Sequence, residues 1–183
     1  AREIHGDVAV NDNNGAIAVA NIKGDATLNG NFGSITFANI AGSVTSTTSN
    51  SRVKGSGVGG NASVTTTFGE VALEQVNGSL DVQDSNGSVN VHEVGGYAKL
   101  NTSFGSIEAS SLHKGARVTT GNGRIHLTNV DGETYAKTSF GSVEVQRVAG
   151  NLTAENSNGP VRAANIKGDV SAKTSFGAAS VEE

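Results

Sequence analysis

Apolar residues alternate with polar ones in short bursts along this chain, and the bursts return every nine residues. Taken in pairs they make an 18-residue period marked by two series of glycines. One series runs Gly6, Gly24, Gly42, Gly60, Gly78, Gly96, Gly132, Gly150 and Gly168, and the other lies nine residues later, from Gly15 and Gly33 to Gly159 and Gly177. Numbering columns from the first series puts Gly6 in column one and Gly15 in column ten. Column twelve then reads Ile17, Ile35, Val53, Val71, Val89, Ile107, Ile125, Val143, Val161. Column seventeen reads Ile22, Ile40, Val58, Val76, Val94, Leu112, Val130, Val148, Ile166. Columns three, five and fourteen are mostly Val, Leu or Ala. This alternation predicts short strands, each with one buried face.

Halves too small to fold alone can bury that face only by stacking on their neighbours. The pattern therefore predicts an all-β fold: a right-handed, single-stranded parallel β-helix, or β-solenoid, of about ten 18-residue coils forming one domain over residues 1–183. The handedness follows from the near-universal right hand of parallel strand connections. At roughly 4.8 Å per coil the rod is about 45–50 Å long. Left-handed hexapeptide helices need inward residues every six positions, which columns three, five, twelve, fourteen and seventeen do not supply. Calcium-binding β-rolls need an Asp in each turn, whereas Asp12 and Asp84 share column seven with Gly, Thr and Asn.

Column nine alternates between two unlike residues: Asn14, Phe32, Asn50, Phe68, Asn86, Phe104, Asn122, Phe140, Asn158, Phe176. The expectation is that each Phe fills a corner of the core while each Asn bonds the turn backbone that Phe leaves bare. Glycine in column ten is expected to supply the positive φ of a tight corner. On that reading Asn122→Phe overpacks the corner and lowers the melting temperature.

Composition narrows the core and the chemistry. Aromatic residues make up 4% of the chain and Trp is absent, so the core is aliphatic. Cysteine is absent too, which excludes disulfides, thiolate chemistry and Cys-ligated zinc. The formal charge of -4 is spread with no basic face, which excludes nucleic acid as a partner. Apolar runs of only a few residues exclude membrane insertion by a helix.

The recurring "TSFGSVEV" and "NSNG", with "IKGD" or "VGG", resemble the bacterial adhesin-type domain of unknown function, the toast-rack β-helix family, over essentially the whole chain. The resemblance implies a right-handed β-helix in an exported or surface-exposed setting, and it implies no catalytic residues.

A search for chemistry finds little. Every coil keeps eighteen residues, so no inserted loop builds a cleft. Glu108, His126, Glu144 and Arg162 occupy successive coils of column thirteen; the arrangement reads as a charge ladder on the solvent face rather than a proton-transfer row. Column six repeats the device with Lys137, Glu155 and Lys173. His5, His92, His113 and His126 do not converge, so no metal and no cofactor are expected, nor an enzyme. The threonines of column seven read as corner hydroxyls rather than an ice-ordering plane. In the third coil Ser46 and Gly55 stand in apolar columns and Ser51 replaces a corner glycine, which predicts thin packing and a locally flexible coil. Lys114-Gly115 in the seventh coil reads as a small bulge.

The repeat reaches both ends without a polar cap. Either capping sequence lies outside this segment, or the caps are copies of the chain itself. An even number of coils lets Phe176 of one copy be followed by Asn14 of the next. The expectation is thus a structural protein, extracellular or on the cell surface, that stacks head to tail into a filament. Its self-association residues are Ile4, Val8, Val10, Asn14, Ile17, Val170, Phe176 and Val181. The alternative is a cell-surface adhesin or ligand-binding module whose partners include glycans.

Overall fold

In the computed structural model all 183 residues are described, and twenty-one strands form two parallel sheets with no helix between them. Sheet one stacks eleven strands, from Arg2–Ile4 through Ile17–Ile22 to Ala179–Glu182, and sheet two stacks ten, from Val8–Asp12 to Val170–Thr174. Each strand pairs with the strand one period later, so Ile17 lies opposite Ile35 and Ile35 opposite Val53. Successive 18-residue segments are therefore coils of a β-solenoid of about ten turns, numbered here from coil one at residues 6–23. Of 126 backbone hydrogen bonds, 45 lie outside the strands, so the corners stack coil on coil as the sheets do.

The core is one shaft of 39 buried residues drawn from columns three, five, twelve, fourteen and seventeen. Columns fourteen and seventeen both point inward although three residues separate them, which a flat strand forbids. The backbone makes this up at column sixteen. Asn21, Asn39, Gln75, Glu93, Ser111, Asn129, Arg147 and Asn165 all have φ between 54° and 63°, and Gly57 has 66°. A left-handed residue in each of coils one to nine turns the strand by the extra step that brings column seventeen back inside. Four of these residues are Asn, the non-glycine type that tolerates this conformation best.

Column nine corrects the expectation for the corner. Phe32, Phe68, Phe104, Phe140 and Phe176 are exposed, by 50%, 52%, 60%, 55% and 78%, and fill no part of the core. Nor does Phe leave the turn backbone bare. The N–H of column nine donates to the column-eight carbonyl of the preceding coil whether the residue is Asn or Phe, as Asn86 does to Thr67 and Phe104 to Ser85. Only Asn86 and Asn158 add a side-chain bond, to Thr67 O and Ser139 O at 3.2 and 3.4 Å. Amide and phenyl interchange because the position faces outward and the backbone alone holds it.

Glycine in column ten serves two purposes. At three of the five Phe corners Gly33, Gly69 and Gly141 have φ of 119°, 143° and 129°, as expected, whereas Gly105 and Gly177 do not adopt it. At the Asn corners no such φ occurs, and close approach decides instead: a Cβ on Gly87 or Gly123 would land on the carbonyl oxygen of Gly69 or Gly105 in the coil before. Column seven locks these corners from inside. Thr102, Thr120, Thr138 and Thr174 donate to the carbonyls of Gly87, Gly105, Gly123 and Gly159 at 2.9–3.2 Å, bearing out the reading of corner hydroxyls.

The third coil is not thin at Gly55. The ring of Phe37, one coil earlier in the same column and 1% exposed, occupies the space a side chain there would take. Its weakness is polar: the hydroxyls of Ser46, Thr48 and Ser51 are all buried without a partner. In the seventh coil no residue is inserted. Ala98 pairs with Ala116 and Ala116 with Thr134, so Lys114-Gly115 is a turn with Gly115 at φ 95° in an unbroken register.

Candidate interaction surfaces

Three surfaces present groups to a partner: the two ends of the rod, the outer faces of the sheets, and the corner at column nine. At the ends, Val8, Val10 and Val170 are half-buried, while Ile4 and Val181 are 36% and 54% exposed. Asn14 and Phe176 are exposed at the corner rather than on the end faces. Ile17 is 3% exposed; it belongs to the covered core and has no surface to offer a second copy.

The ladders at the ends have a polarity. The column-three N–H of each coil donates to the column-two carbonyl of the next, from Val8 to Asp25 through to Leu152 to Asp169. Column-two side chains add a second ladder that the sequence reading missed. Asp7 Oδ1 accepts the Asp25 N–H at 2.9 Å, Asp25 Oδ1 accepts that of Ser43 at 2.7 Å, and Asn61 and Asn151 repeat the bond to Ser79 and Asp169. The recurrence of Asp, Asn and Ser beside the column-one glycine was its signal.

Sheet one carries the charge ladder on its outer face. Glu108, His126, Glu144 and Arg162 are cross-strand neighbours, with His126 Nδ1 3.5 Å from Glu144 Oε2. On sheet two Lys137 lies 3.3 Å from Glu155, whose other partner is the Tyr135 hydroxyl at 3.0 Å. That hydrogen bond, followed by the one from Lys137, holds the Glu155 carboxyl below its usual range. Burial, then the bond to Glu155, pushes the Tyr135 hydroxyl up. His113 pairs with Asp131 at 2.9 Å on another corner. No group of three or more His, Cys, Asp and Glu residues converges as a metal ion requires.

One shallow depression of about 460 Å³ lies on sheet two beside Tyr97, lined by the Lys99–Asp81 pair at 3.1 Å and by Ser63 and Asn61. It exists because small side chains stack there next to a 42%-exposed tyrosine.

The corner carries five of the eight exposed large hydrophobic residues. Five phenyl groups stand in one line, one on every second coil and so roughly 9.6 Å apart, with an Asn between each pair. Column eight beside them holds only Asn, Ser, Thr and Gly, and column ten only Gly and Ser51. Beyond lies column eleven, where Arg52 Nε meets Glu70 at 3.1 Å and Arg124 is exposed without an ion-pair partner.

Comparison with family models, curated proteins and solved structures gives no match.

Proposed function

We propose that this chain is a non-enzymatic structural protein of the cell exterior whose rods stack end to end into a filament or surface fibre. The observation that carries the reading is the match between its two ends. Val170 N–H has no partner in its own chain, and in a stack it faces the Asp7 carbonyl of the next copy, continuing the column-three ladder. The Asp169 side chain likewise faces the Asp7 N–H, as Asn151 faces that of Asp169. Half-buried Val8 and Val10 then cover Val170 and Ala172. The exterior setting rests on the resemblance to the toast-rack adhesin-type domains.

Electron microscopy of the purified chain tests this. Growth of filaments with concentration is expected, and Val170→Pro, which removes an N–H unused within the chain, arrests elongation at one rod length of about 45–50 Å. Single rods at every concentration would overturn the proposal.

The second reading, an adhesin or glycan-binding module, is favoured by the Tyr97 depression. An exposed ring beside a carboxylate–ammonium pair suits the face and hydroxyls of a sugar. A glycan array tests it, with Tyr97→Ala removing any binding seen.

A further inference from the structure

We infer that the phenylalanine corner is an interface between two copies of this chain lying side by side and antiparallel. The inference does not rest on end-to-end stacking. Column nine sets a bulky residue on even coils and a small one on odd coils, so the stripe is a row of knobs and gaps with one common spacing. Two such rows mesh only if knobs meet gaps. A twofold axis along the rods sets coil against like coil and phenyl against phenyl. An axis across the rods, passing between two adjacent coils, sets every even coil against an odd one.

The charges choose which coils. Glu70 is in coil four and Arg124 in coil seven, both in column eleven, the next outward column after the stripe. A twofold axis across the rods keeps columns facing themselves and reverses their heights. Placed between coils five and six, it brings Glu70, which also holds Arg52 and accepts from Asn90 in its own chain, onto the partner's Arg124 and Arg124 onto the partner's Glu70. The same axis sets Phe68 against the partner's Asn122, Phe104 against the partner's Asn86 and Phe140 against the partner's Asn50. The axis chosen by charge thus has the parity that steric meshing requires, and nothing in the choice of charges forces this. One outward column further, Lys54 comes opposite the partner's Glu144, while column eight brings no charge at all.

The area suffices. Five phenyl groups with about 0.6 of their surface exposed, at roughly 200 Å² each, give about 600 Å² per copy and about 1,200 Å² for the pair. That is the lower bound of a specific protein interface before the flanking columns are counted, about 1,200 Å².

Sedimentation of the Val170→Pro chain, in which end stacking is blocked, isolates the lateral contact. A concentration-dependent monomer–dimer equilibrium is expected, weakened at least tenfold by Phe104→Asn. Glu70→Arg alone and Arg124→Glu alone each set like charges face to face and shift the chain to monomer. Mixing the two variants restores dimers, because each then meets its complement. Monomers at all concentrations, or dimers indifferent to Phe104→Asn, would overturn the inference. So would a mixture no more dimeric than its components, even where both variants fold normally by circular dichroism. If filaments fail to form in the native chain while this dimer persists, the stacking proposal falls alone.

Discussion

Phe37 and Phe104 are the same residue in the same fold, and they do opposite things. Phe37 stands in column fourteen, is 1% exposed and fills the space above Gly55; Phe104 stands in column nine and is 60% exposed. The difference lies in the column and in its neighbours one coil away. Column fourteen tolerates a ring because the next coil gives up a whole side chain, a large-for-small exchange that keeps the shaft filled. Column nine tolerates a ring because the turn has carried it outside.

Truncation separates the two most strongly. Phe37→Ala leaves a cavity in the shaft and is expected to cost about 3–5 kcal/mol in denaturant unfolding, whereas Phe104→Ala on single rods changes stability by less than about 0.5 kcal/mol. Comparable losses at both sites would erase the distinction. Gly55→Ala drives a methyl group into the Phe37 ring and is expected to cost about 1–3 kcal/mol. Adding Phe37→Leu recovers part of this loss, and a double variant that simply sums the two would show that ring and glycine are not a packing pair.

The third coil extends the comparison to polar groups. Ser46 occupies column five, elsewhere Val, Leu or Ala, and its hydroxyl is buried unpartnered. Ser46→Val is expected to stabilise the chain by about 1 kcal/mol, read as a higher unfolding midpoint.

The smallest effect concerns Asp84, which caps an Asn corner by accepting the N–H groups of Ser85, Asn86 and Gly87. Burial outweighs those bonds and holds its carboxyl above the ordinary 3.8. The folded chain therefore takes up this proton before the unfolded chain does. Stability from this site rises as pH falls through the raised pKa, and the penalty stands in full above it. Asp84→Asn keeps an acceptor and gains a donor like that of Asn156, which reaches Gly141 O at 2.8 Å. It is expected to raise the melting temperature at pH 8 more than at pH 4; an equal change at both would contradict the burial argument.

The column-twelve and column-seventeen ladders were legible in the sequence because a stacked coil repeats its environment every period, so burial writes the same residue class again and again. The direction of column nine was not legible. It lies two residues beyond inward column seven, and simple alternation would carry it inside, but the corner turns it outward at Asn and Phe coils alike, whereas column ten is buried at Ser51, Gly87, Gly123 and Gly159 and exposed at Gly33, Gly141 and Gly177. Column sixteen hides a step of the same kind, and its trace was there to read in Asn21, Asn39, Asn129 and Asn165. At the ends, Val8, Val10 and Val170 are half-buried, while Ile17, named with them from its place in the pattern, is buried beyond use. The role of Asp7 and Asp25 shows at no single position: only the recurrence of Asp, Asn and Ser down column two separates a side chain that serves the next coil's backbone from a solvated one.

The outward turn at column nine is tested most directly by fluorine NMR on chain labelled with fluorophenylalanine and carrying Arg124→Glu to hold rods apart, in the presence of a soluble paramagnetic chelate. Six resonances are present, one for each Phe. Five that broaden strongly and one that stays sharp, assigned to Phe37 by its loss in Phe37→Leu, are the expected result. Sharp, protected resonances from Phe68, Phe104 and Phe140 would place the rings inside the shaft and contradict the account.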